Sequence, residues 1–126
     1  MIGTTRSVRV FAYGAAADMR KGFNGLYGLI TDELGRDPLS GDCFLFVSKR
    51  RTRAKVMLWD GTGLCIFSKR LERGRFASLW TSTSSDALEL TMSELSLFLE
   101  GCELVGKRPL SPAQYRARGI EQRPSA

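Results

Sequence analysis

The sequence predicts a small mixed α/β domain of the α+β kind, with a mainly antiparallel sheet of four or five strands packed with two helices. Three observations carry this. Short apolar runs rich in β-branched and aromatic residues recur between turn residues: S-V-R-V-F-A-Y at 7–13, D-C-F-L-F-V-S at 42–48, A-K-V-M-L-W-D at 54–60 and L-C-I-F-S-K-R at 64–70. The last two runs flank Asp60-Gly61-Thr62-Gly63, a strong hairpin signal. Two other stretches, 18–35 and 91–102, carry apolar residues at helical spacing.

Taken in order, the first strand spans Ser7 to Tyr13, and Gly14 with the alanines after it turns the chain. A helix is expected from Asp18 to Gly35, with Phe23, Leu26, Tyr27, Ile30 and Leu34 as its apolar stripe. Asp18 would favour the positive end of the helix dipole. Gly22, Gly25 and Gly28 cost roughly 1 kcal/mol each against alanine in a helix interior. Their spacing puts them on one side, where a sheet or another chain could approach closely. Gly35 and Pro38 close the helix.

The strands beside the Asp60–Gly63 turn are apolar on both faces, which predicts central strands with the helix on one side and further structure on the other. Leu71 to Leu79 reads as a short helix or turn, Thr81 to Ser85 as a polar linker, and Ala87 to Leu90 as a short strand. T-M-S-E at 91–94 is a capping box, with Thr91 as N-cap and Glu94 at N3. Leu95, Phe98 and Leu99 form the apolar side of that helix, and Gly101 ends it. From Lys107 onward proline, arginine and small residues dominate, so the expected organisation is one globular domain, 1–106, and a flexible basic tail, 107–126.

A chain of 126 residues suits one domain, and 43% apolar with 25% charged residues is ordinary for a globular protein. No apolar run approaches the roughly 20 residues of a membrane span, and residues 1–12 lack a signal-peptide layout. No membrane partner and a cytoplasmic location are therefore expected. Cys43, Cys65 and Cys102 are odd in number and form no CxxC pair, which argues against a disulfide framework or a zinc site. Cys43 and Cys65 sit in apolar runs and read as small buried hydrophobes. The absence of histidine argues against Ser-His and Cys-His hydrolases and against histidine-dependent nucleases.

Charge is the most informative feature. Between Lys49 and Arg75 stand nine basic residues: Lys49, Arg50, Arg51, Arg53, Lys55, Lys69, Arg70, Arg73 and Arg75. Only Asp60 and Glu72 oppose them, so this segment carries +7 while the whole chain carries +6. If the 60–63 turn closes tightly, Lys55 and Lys69 meet at the open end of the hairpin, where the 49–53 loop also enters, and two clusters become one patch. Crowded like charges are best tolerated beside a polyanion, and the planar arginine fork suits phosphate. The competing reading is a solvated rim. Trp59, Trp80 and Phe76 lie nearby and could stack on bases, although such aromatics more often serve as core.

Catalytic patterns are weak. Neither Gly61-Thr62-Gly63 nor Arg20-Lys21-Gly22 has the order of a phosphate-binding loop. A two-metal nuclease needs converging acids. Asp60 and Glu72 are isolated, and Asp18, Asp32, Glu33, Asp37 and Asp42 lie on or around the first helix, where acids ordinarily serve solubility. No metal, cofactor or catalytic residue is expected.

Three stretches resemble a known family. They are D-M-R-K-G-F-N-G-L at 18–26, the long run from Lys55 to Phe76 (K-V-M-L-W-D-G-T-G-L-C-I-F-S-K-R-L-E-R-G-R-F), and the weaker Leu95 to Gly101, similar to a Leu-Leu-x-Gly ending. Their order and spacing resemble the TnpB accessory proteins of the bacterial insertion-sequence family numbered sixty-six, over about residues 7–106. These are unrelated to the RNA-guided nucleases that share the name.

The resemblance implies a short protein encoded beside a larger transposase, which holds the acidic catalytic triad. The expectation is a non-enzymatic accessory factor for transposition that binds DNA at the element ends, or the transposase on that DNA. The nine basic residues would contact phosphate. Asp18, Arg20 and Lys21 would form a partner surface or orient the sheet. The rival is a pure adaptor for the transposase, using the glycine-lined helix face. A homo-oligomer is compatible with either, as is nucleoid association when DNA is bound.

Overall fold

The computed structural model describes residues 8–79 and 88–101. The expected linker at 81–85, Trp80, Cys102 and the tail at 107–126 lie outside these residues. The described chain is a small α+β domain. Strands β1 (Val10–Ala12), β2 (Cys43–Val47), β3 (Arg53–Trp59), β4 (Leu64–Arg70) and β5 (Leu88–Leu90) form one sheet in the order β4-β3-β2-β1-β5. Helix α1 (Phe23–Gly28), continued by a π-helical turn at Leu29–Glu33, connects β1 to β2, and α2 (Met92–Leu99) follows β5.

All neighbours are antiparallel except β1 and β2, which pair in parallel with Val10 opposite Cys43 and Ala12 opposite Leu45. A parallel pair needs a long crossover, and the segment carrying α1 supplies it. Side chains alternate along each strand, so the sheet has two buried faces. Phe11, Phe44, Phe46 and Met57 pack under Leu26 and Ile30 of the α1 segment. Val10, Leu45, Val47 and Val56 pack under Leu95 and Phe98 of α2, together with Phe76, Ala77 and Leu79. Among the described residues, no helix is long and apolar enough to cross a membrane.

The first helical segment departs from expectation at its start. The first helix starts at Phe23, not Asp18. Asp18 Oδ1 accepts the Arg20 amide at 2.9 Å and Asp18 O accepts the Lys21 amide at 3.1 Å, so residues 18–21 make a turn of their own. The π-helical turn is closed by Leu34 N–H donating to Leu29 O at 3.1 Å, after which Gly35, at φ 63, ends the element as expected. Phe23 leaves the apolar stripe and is 51% exposed. The glycines do not seat the helix on the sheet: a Cβ at Gly22 would meet nothing within 4 Å, the atoms nearest one at Gly25 belong to the Lys21 side chain, and one at Gly28 would meet Asp32.

β4 is an edge strand and not a central one, while the fully buried strands are β1 and β2. Residues 71–79 form neither helix nor strand, yet Phe76 and Ala77 are fully buried. The capping box of α2 is present, with Thr91 Oγ1 accepting the Glu94 amide at 3.0 Å and Glu94 Oε1 accepting the Thr91 amide at 2.8 Å.

The β3–β4 turn forms as its sequence predicts. Asp60 Oδ1 accepts from the Thr62 amide (2.9 Å), the Gly63 amide (2.9 Å) and the Thr62 hydroxyl (3.1 Å), and Gly61 takes φ 106. These donors, the two amides first, hold the Asp60 carboxyl at a pKa of about 2, against an ordinary 3.8. A depressed folded pKa contributes stability that is present above the unfolded value and lost as pH falls through the folded one. The Asp60 carboxyl carbon followed by NMR should therefore titrate near 2, and the hairpin should loosen between about pH 4 and pH 2. A midpoint at the ordinary value would remove Asp60 as the organiser of the turn.

Candidate nucleic-acid interface

After β1 the chain runs beside β2: Tyr13 N–H donates to Leu45 O and Ala17 N–H to Val47 O, both at 2.9 Å. This delivers Asp18 to the end of β2, where the β2–β3 loop begins. Ser48 shapes that loop. Its carbonyl accepts the Arg51 amide at 2.9 Å, and its hydroxyl accepts the amides of Thr52 (3.3 Å) and Arg53 (3.1 Å). Arg51 sits at φ 61, a left-handed conformation that costs a non-glycine residue energy and persists where contacts hold it. Here Arg51 Nη1 donates to Phe76 O at 3.0 Å, and the Phe76 amide donates back to Arg51 O at 2.7 Å. Arg51 is a clip between the loop and the 71–79 segment.

Strand parity sorts the remaining cations. Met57 faces α1, so Arg53 and Lys55, four and two positions before it, face that side too, as do their partners Arg70 and Ser68. Lys69, opposite Ala54, faces the α2 side. The Lys55 ammonium donates to Met19 O (2.9 Å) and Lys21 O (2.8 Å), fastening the 18–21 turn to the sheet. The Lys69 ammonium donates to Leu99 O at 2.7 Å, where a cation also complements the C-terminal end of the α2 dipole. Lys55 and Lys69 thus lie at the open end of the hairpin, as expected, but on opposite faces, with their charges committed to backbone carbonyls.

What gathers on the α1 side is a smaller set. Arg53 stands directly opposite Arg70, an arrangement that is repulsive by itself. Arg70 Nε is paired with Glu72 at 3.1 Å. Among the described residues the side chains of Lys49, Arg50 and Arg53 carry no ion pair, and all three are exposed. A cleft of about 390 Å³ lies between Ala17, Asp18 and Met19 on one wall and Lys49, Arg50 and Arg53 on the other. A second, of about 490 Å³, is lined by Met19, Arg53, Lys55, Ser68, Arg70 and Glu72. Met19 and Arg53 belong to both, so the two clefts adjoin.

The motif-like start at Asp18 therefore borders the basic loop, which the sequence did not reveal. Asp18 is taken by Arg20, with 2.8 Å between Oδ2 and Nη2, and these bonds hold its carboxyl at about 2 and raise the arginine. Arg73, on the bend at 72–74, and Arg75, just after it, are exposed ahead of Phe76, beside the Arg51 clip. Phe76 cannot stack on a base: it is fully buried and stacked on Phe98, with ring centroids 5.1 Å apart. Trp59 is half-buried. Sequence reasoning missed Ser48 and Met19, and read Glu72 as isolated where it pairs with Arg70. A serine ahead of a polar loop is a recognised turn former and could have been found, whereas Met19 carries no local signal.

Cys43 is buried, and burial raises its thiol. Cys65 is only half-buried and donates to Asp60 Oδ2 at 3.5 Å. Among the described residues, no three of histidine, cysteine, aspartate and glutamate stand close enough to share a metal ion.

Fold and site together define a small α+β protein whose distinguishing feature is a cationic hairpin end joined to a motif-bearing turn. Its sequence matches the family model described as IS66 Orf2-like protein over residues 8–109. The chain belongs to that family, which implies an accessory role in the transposition of an insertion sequence and is not known as a catalytic family. It is 36% identical over 103 residues to the uncharacterized protein y4jC of Sinorhizobium fredii, covering 82% of this chain and 86% of that one. A second protein of the same organism, the uncharacterized y4hO, is also 36% identical, over 82% of this chain and 88% of its own. No solved structure matches.

Proposed function

We propose that this protein is a non-enzymatic accessory factor that contacts DNA, at the element ends or in the transposase–DNA complex, through the α1-side basic cleft. The observation that carries this reading is that Lys49, Arg50 and Arg53, exposed and without ion pairs among the described residues, line one wall of a single cleft. Phosphate offsets their mutual repulsion and is matched by the arginine forks. Such contacts position a protein on the duplex without reading bases. Arg70, Arg73 and Arg75 extend the same cationic end of the sheet. Arg51, Lys55 and Lys69 contribute charge while holding the scaffold.

The test is fluorescence anisotropy of a labelled terminal-repeat duplex over a salt series, beside a scrambled duplex. Each phosphate contact contributes about −0.9 to the slope of log affinity against log salt. Arg50→Ala with Arg53→Ala should flatten the slope by up to about 1.8 while leaving the melting curve in place. Arg51 stays out of this pair because its loss would also open the clip to Phe76. No binding at low salt would reject direct DNA contact.

The alternative is an adaptor that holds the transposase without touching DNA. The exposed Phe23 and the open space over Gly22 at the start of α1 favour it. A salt-insensitive complex with transposase, from a protein lacking DNA affinity, would select that reading.

A further inference from the structure

The sheet ends in two unlike edges. β5 has three residues and carries the Arg9–Glu89 ion pair on its middle residue. β4 has seven residues, lacks proline and glycine, pairs with β3 without a bulge, and leaves Phe67 51% exposed. Edge strands are ordinarily blunted by charge, proline or bulges, because their unpaired backbone groups template another strand. In β4 the charges occupy only the last two positions, and the Lys69 ammonium is turned away to Leu99 O.

Among the described residues, the register shows which β4 backbone groups take no part in the ladder to β3. Leu71 N–H donates to Thr52 O at 2.8 Å, and Asp60 N–H donates to Gly63 O at 3.0 Å. Odd-numbered positions of β4 therefore bond to β3, and Leu64, Ile66, Ser68 and Arg70 present N–H and C=O outward.

We infer that β4 pairs antiparallel with β4 of a second copy about a twofold axis at Phe67, joining two sheets into one. The sequence of the edge is self-complementary in this register. Ile66 falls opposite Ser68 of the second copy and Leu64 opposite Arg70, so all four outward residues are paired, giving about eight backbone hydrogen bonds. A register centred one residue to either side leaves an end residue unmatched. Phe67 then meets its own copy in a non-hydrogen-bonded position, where side chains approach most closely. Charge does not forbid the pairing. The two Arg70 positions lie roughly 20 Å apart along the seam, at about 3.4 Å per residue, beyond the screening length of about 8–10 Å at physiological salt. Each basic cleft would remain at its own end of the seam, and no nucleic acid is required.

Sedimentation velocity of the full chain across micromolar concentrations should show a dimer. Ser68→Pro should convert it to a monomer with unchanged far-ultraviolet dichroism, because the Ser68 N–H points outward and takes no part in the ladder to β3. In a Cys65→Ser, Cys102→Ser background, Phe67→Cys should form an interchain disulfide on mild oxidation, since a non-hydrogen-bonded pair places Cα atoms about 4.5 Å apart, within disulfide range. Leu88→Cys, also exposed but on the opposite edge, should not. A monomer throughout, a dimer that Ser68→Pro leaves intact, or Leu88→Cys cross-linking as readily as Phe67→Cys would each overturn the pairing.

Discussion

Replacing Phe98 by alanine is expected to lower stability by about 3–5 kcal/mol, the usual cost of truncating a buried phenylalanine. Phe98 is fully buried and stacks on Phe76 at 5.1 Å, with the two rings 15° from parallel. It is the contact through which α2 closes one face of the sheet, and Phe76 comes from a segment with no ladder of its own. Phe76 is in turn bonded through its backbone to Arg51, so loosening this face also loosens the basic loop. Small domains have only about 5–15 kcal/mol in total, so a variant this weakened should be partly unfolded in mild urea. The check is a urea melt in which the midpoint falls and the slope holds. A shift worth less than about 1 kcal/mol, the range of ordinary surface changes, would mean that α2 does not close the core in this way.

The second large effect concerns a cation that sequence reasoning counted among the phosphate contacts. Lys55→Met keeps the apolar stem on the α1 face and removes the ammonium that bridges Met19 O and Lys21 O. Hydrogen bonds from a charged donor contribute about 1.5–3 kcal/mol each, and both carbonyls would be stranded together. Lys55 is half-buried, so water recovers part of this, and a loss of roughly 2–3 kcal/mol is expected. Amide exchange should quicken at residues 18–22, while the salt slope of DNA binding, measured well below the melting temperature, should not change. Arg53→Met should do the reverse, with stability held and the slope flattened. If Lys55→Met flattened the slope and spared stability, Lys55 would be a phosphate ligand after all.

Those two variants mark how far the site could be read from the chain. The clustering of nine cations between Lys49 and Arg75 is plain in the sequence, and the 60–63 turn does bring both clusters to one end of the sheet. Which cations are engaged is not legible. Lys55 finds its acceptors 34 and 36 positions away, Lys69 finds Leu99 at 30, and Arg51 finds Phe76 at 25. No local pattern encodes partners at such distances. Asp18 misleads for a different reason: its acidic side chain reads as a helix start, but Arg20, only two residues on, takes it in a turn ahead of the helix.

By itself the sequence determined the features that depend on near neighbours. These are the alternating strands, the Asp60 turn with its amide donors, the Thr91–Glu94 capping box, the stop at Gly35, and the local excess of positive charge. Each rests on contacts within a few residues, where side-chain chemistry and backbone geometry meet directly. Only the tertiary structure decided that β1 and β2 run parallel, that β4 is an edge, and that Lys55 and Lys69 face opposite sides. The physical reason is that strand order and register belong to pairings across the sheet. With a side-chain period of two, adjacent register positions send neighbouring cations to different faces, one to hold the scaffold and another to meet solvent.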